Sequence, residues 1–83
     1  MDDWRLMGQE DYLKNKQLKE NIPFEFAKTK EYPQSWHEHC EFCGEKATAD
    51  VKGEFYSTED DYYWICKSCF DDFKEKFNWI VKN

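Results

Sequence analysis

Aliphatic side chains are the first shortage in this 83-residue chain: Leu6, Leu13, Leu18, Ile22, Val51, Ile65, Ile80 and Val81 are the whole set of Leu, Ile and Val. A domain of this length buries only about 60% of its unfolded surface and is marginal in stability. So few aliphatics cannot fill a core alone. Glycine is scarce too, at positions 8, 44 and 53, which excludes a glycine-rich phosphate loop. No apolar run nears the roughly 18 residues of a membrane helix. The longest, Tyr62 to Cys66, has the length of a strand. No serine sits in a nucleophile elbow.

Positive charge is also short. Twelve bases face 18 acids for a net −6; residues 1–36 are at −1 and residues 37–83 at −5. Nucleic-acid binders carry a basic footprint that displaces phosphate counterions. Without one, nucleic acid is the weaker alternative, and another protein, with a basic surface, is the expected partner. The opening Met-Asp-Asp-Trp-Arg-Leu lacks the basic and apolar regions of a secretory signal. A cytoplasmic address without membrane contact is therefore expected, and there thiols stay reduced.

Aromatics and cysteines are what the chain does have. Four Trp, five Tyr and seven Phe make up 19% of the residues, although the mean hydropathy is −1.06. Rings must carry the core, and so small a domain needs a staple. Trp64 and Trp79 are expected inside. Trp4 and Trp36 lie in irregular segments and either pin the N-terminal part or face a partner.

Cys40-x2-Cys43 and Cys66-x2-Cys69 stand 22 residues apart. Two intervening residues let one turn present both sulfurs to one ion, and two such turns complete the tetrahedron that zinc requires. One structural zinc on Cys40, Cys43, Cys66 and Cys69 is the expected cofactor. His37 and His39 flank the first pair and, with four sulfurs present, are expected outside the ligand set. His37-Glu38-His39 is neither HExxH nor the deaminase signature. Four cysteines close the open position that catalytic zinc keeps, so no catalytic residue is assigned. A thiol redox role needs a βαβ context that the pattern does not supply.

The expected fold is a small α+β metal-stabilised domain spanning residues 1–83. Residues 37–83 form a treble-clef-like part made of a zinc knuckle, a β-hairpin and a C-terminal helix, with a zinc ribbon as the rival. Residues 1–36 form an N-terminal helix and a short extended arm packed on the finger. The helix is expected over Gln9 to Glu20, from its good helix formers. Phe24 to Lys28 alternates like a short strand or arm, and Pro33 breaks the chain.

In the second part, Cys40 to Gly44 reads as a tight turn. Thr48 to Tyr56 reads as a strand with a bulge at Gly53. Ser57 to Asp61 reads as a loop and Tyr62 to Ile65 as the second strand. The last helix follows from Phe70, Phe73, Phe77 and Ile80 on one stripe. Ser68 is its expected cap, with Asp71 and Asp72 in its first turn. Glu59-Asp60-Asp61 reads as a solvated loop. The expected function is a non-enzymatic, zinc-stabilised protein-binding protein; a nucleic-acid-binding zinc finger and a thiol redox protein are the alternatives.

The combination of Asp3-Trp4-Arg5-Leu6, Gly8-Gln9-Glu10, Trp36 to Cys43 and Trp64 to Phe70 resembles a group of small bacterial proteins. These carry a DWRL-x-GQE opening and an HCEFC…WICxxCF pair. The resemblance implies a zinc-bound small domain, with Cys40, Cys43, Cys66 and Cys69 as ligands, but no activity to carry over. It also implies that the DWRL-x-GQE opening belongs to the domain. At fold level the chain is similar to treble-clef fingers. It departs from RING and LIM modules, which need eight ligands where this chain has six Cys and His in total.

Overall fold

Where each chain segment pairs is decided by a few fully buried side chains, with Leu13, Leu18, Ile65 and Phe77 at the centre. The structure is a computed structural model, and it describes residues 3–82. A short helix α1 (Glu10–Leu13) leads into strand β1 (Gln17–Glu20), then helix α2 (Pro23–Thr29). Strands β2 (His37–His39) and β3 (Lys46–Thr48) form one small antiparallel sheet. Strands β4 (Phe55–Thr58) and β5 (Trp64–Cys66), helix α3 (Lys67–Phe77) and strand β6 (Ile80–Val81) complete the order. The larger sheet runs β5-β4-β1-β6, with β1 antiparallel to β4 and parallel to β6.

The N-terminal part departs from the expected helix and arm. The helix stops at Leu13, because Asn15 takes a left-handed backbone (φ 64°) that asparagine tolerates better than most residues. Leu13 and Leu18 are both fully buried; five positions apart, they cannot share one helix face. Strand geometry resolves the conflict by placing Leu18 opposite Thr58. Residues Phe24 to Lys28 are helical and not extended. Pro23 at the first helical position supplies a φ suited to a helix start, and Pro23 and Ala27 bury the same face.

The expected single strand Thr48 to Tyr56 is two strands in two sheets, β3 and β4, joined by residues 49–54. Gly53 lies in that connection and makes no bulge. Phe24 N–H binds the Val51 carbonyl at 2.8 Å, tying the connection to α2. Ser57 and Thr58 are not loop but buried strand, because β4 lies between β5 and β1. β5 starts two residues later than expected, at Trp64.

Helix α3 buries Phe70, Phe73 and Phe77 as its stripe demands. Its N-cap is Cys66, with no side-chain cap from Ser68, so Asp71 and Asp72 fall beyond the first turn. Asn78 closes it in the left-handed conformation, φ 55°, as a helix-ending residue commonly does. Ile80 therefore leaves the helix for β6 and is 63% exposed.

Rings fill the space the aliphatics leave. Phe42 meets Phe73 and Phe77 at 4.9 and 5.4 Å between centroids, and Phe70 stacks between Tyr56 and Trp79. Trp64 and Trp79 are buried, as expected. Trp36 is half-buried against Phe26, Tyr32 and Trp64. Trp4 is 74% exposed.

Candidate metal centre

Two turns bring the four cysteines together. The first joins β2 to β3, where Cys40 N–H binds the Glu45 carbonyl at 2.8 Å and Gly44 N–H binds the Cys40 carbonyl at 3.1 Å. Gly44 sits at φ 81°, which explains glycine at the end of the turn. A parallel bridge between Cys40 and Trp64, with Glu41 N–H on the Trp64 carbonyl at 2.9 Å, sets this turn beside β5. Two residues beyond Trp64, the hairpin strand ends at Cys66 and α3 begins, carrying Cys69 in its first turn.

The sulfurs of Cys40, Cys43, Cys66 and Cys69 all lie within 4.8 Å of one another, with Cys43 and Cys66 3.6 Å apart. The edge of a sulfur tetrahedron around an ion with bonds near 2.3 Å is about 3.8 Å. All four are free thiols; Cys43 is half-buried and the others buried. Phe42 N–H donates to Cys40 Sγ at 3.4 Å. In composition, spacing and geometry the set is a cysteine cluster that could hold a metal ion.

Burial and repulsion from Cys40 push the Cys69 thiol up to about 12. Burial also pushes Cys66 far above an ordinary thiol. At Cys43 burial is outweighed by hydrogen bonds from the Glu45 backbone and the neighbouring thiols, and the net shift is downward. A pocket this dry holds several thiolates together only around a compensating cation.

His37 and His39 stand apart from the cluster. Both are exposed on β2, their Nδ1 atoms 3.3 Å from the carbonyls of Ser35 and Gly44, respectively. Nor do the acidic runs converge into a second site. Asp60 accepts from Thr58 and Tyr62, Asp61 accepts from Asn21 and pairs with Lys19, and Asp71 pairs with Lys67.

Two residues to which sequence reasoning gave no role border the cluster. Arg5 Nη1 donates to Cys69 Sγ at 3.4 Å, and the guanidinium also holds Asp3 and Asp72 and lies 4.5 Å from the Phe73 ring centroid. Hydrogen bonds from the Arg5 side chain and backbone hold the Asp3 carboxyl down at about 2. Gln9, 2% exposed, donates to the carbonyls of Arg5 and Glu41 and accepts from Met7 N–H. The available signal was an isolated arginine within an acidic, aromatic opening.

Comparison with protein-family models, curated proteins and solved structures gives no match to this chain. Among the described residues, no helix is long and apolar enough to cross a membrane.

Proposed function

We propose that the chain is a zinc-stabilised, non-enzymatic protein-binding module whose metal half is treble-clef-like. The observation that carries this reading is the closed set of four sulfurs. Cys40, Cys43, Cys66 and Cys69 would fill a tetrahedral zinc ion completely and leave no position for a substrate. Bound there, zinc would supply folding energy to a core short of aliphatic residues. A treble clef is favoured over a ribbon by the element order: knuckle turn, hairpin, then a helix that carries the second pair at its start. Likeness to the DWRL-x-GQE group belongs to the same proposal, and so does a cytosolic setting that keeps the thiols reduced.

Binding is the function left for so small and closed a site. Net charge of −6 and the outward-facing Trp4, Met7 and Tyr62 favour a basic protein partner with an apolar contact. Metal analysis of the full chain purified under reducing conditions tests the zinc reading. One zinc per chain is expected, lost in Cys66→Ser and kept in His37→Ala. A chain that stays folded by circular dichroism while metal-free overturns it.

A further inference from the structure

We propose that Arg5 is a positioning residue for the metal centre, clamping residues 3–9 across both cysteine turns. The inference rests on the zinc reading above and extends it to the segment that leads the chain.

Arg5 reaches the second cysteine pair through Cys69 Sγ, and Gln9 reaches the first through the Glu41 carbonyl. The Gln9 side chain also binds the Arg5 carbonyl at 2.8 Å, so the two anchors are linked within one turn of chain. Among the described residues Arg5 is the one charged side chain that hydrogen-bonds to a cysteine sulfur. Four thiolates on a dication leave the centre with a net charge of about −2, and a guanidinium beside it takes up part of that charge. A metal-bound thiolate is also a far better hydrogen-bond acceptor than a free thiol, which is weak.

The guanidinium cannot drift from this position at low cost. Asp3 and Asp72 hold it from two sides at 2.6 and 3.0 Å, and Phe73 lies against its face. Its planar fork suits several simultaneous partners, which a lysine ammonium does not. Asp72 and Phe73 both lie on α3, so Arg5 also ties residues 3–9 to the helix that carries Cys69. Trp4 and Met7 are exposed on that same segment.

The test uses the full chain loaded with zinc, and again with cobalt(II) as a spectroscopic probe. Arg5→Gln is expected to keep one zinc but to bind it about ten- to a hundredfold more weakly in chelator competition, the usual cost of losing an outer partner of a ligand. Its thiolate-to-cobalt charge-transfer band shifts, and amide exchange across residues 3–9 accelerates while α3 stays protected. Arg5→Lys, which keeps the charge, falls between the two and decides the matter alone if Arg5→Gln does not fold. Affinity, band and exchange all matching the unaltered chain overturn the clamp. An unaltered chain that takes no zinc overturns the zinc reading instead, so the two failures are distinct.

Discussion

Gln9 shows how much one buried amide can organise. Two of its hydrogen bonds, from Met7 N–H and to the Arg5 carbonyl, close the leading segment on itself, and a third, to the Glu41 carbonyl, joins it to the first cysteine turn; the side chain is almost fully buried. Gln9→Leu removes the partner of Met7 N–H and of the Arg5 and Glu41 carbonyls. A loss of about 1–3 kcal/mol is expected, read as a lower urea midpoint at unchanged slope in the loaded protein. The thiols give a second prediction. Without metal, Cys66 and Cys69 hold their protons well above neutral pH. Metal binding near pH 7 must expel at least those two protons, so affinity rises with pH and falls in acid. Calorimetry in buffers of different ionisation heat counts them; fewer than two per ion would contradict the expectation. At this scale the cysteines were legible because their chemistry lies in a spacing of two residues. Arg5 was not, because its meaning is a contact with a residue 64 positions away.

Elements divide in the same way. Helix α3 was readable because Phe70, Phe73 and Phe77 repeat over two turns and a buried face repays that pattern. The segment from Gln9 to Glu20 was misread because its helix formers are genuine but its helix is too short to stand on propensity. Sheet pairing through Leu18 then decides. In α2, two alternating phenylalanines imitated a strand, while the helical spacing of Pro23 and Ala27 carried the burial. Asn15 is the hinge between α1 and β1, and its side chain accepts from Asn78 Nδ2 at 3.0 Å, joining two left-handed residues. Asn15→Ile is expected to cost about 1–2 kcal/mol, because a β-branched residue resists positive φ. Asn15→Gly should stay closer to the original. Thermal unfolding of the two variants separates backbone strain from loss of the side-chain bond.

For the molecule as a whole, the division between residues 1–36 and 37–83 marks chain order and not a structural seam. β1 lies between β4 and β6, so the first part supplies an inner strand to a sheet built otherwise from the second. Trp79 Nε1 reinforces this by donating to the Leu13 carbonyl at 2.9 Å. No local pattern announces such a pairing, which is why the sequence showed the cysteine turns and the last helix and not the sheet around them. A chain lacking residues 1–21 is expected to bind metal through its cysteines without forming the sheet. Collapsed amide dispersion in the NMR spectrum of that loaded truncation would bear this out; a native-like spectrum would refute it.

Placing β1 between β4 and β6 also has a consequence in time. Asn15 and Asn78, 63 positions apart, meet beside the parallel pair of β1 and β6. Distant pairings of this kind slow folding, because the chain loses loop entropy before contacts repay it. An ion held by Cys40, Cys43, Cys66 and Cys69 would draw the middle of the chain into a short tether and shorten the remaining search. On the zinc reading, the cysteine turns would join first and the sheet would close last.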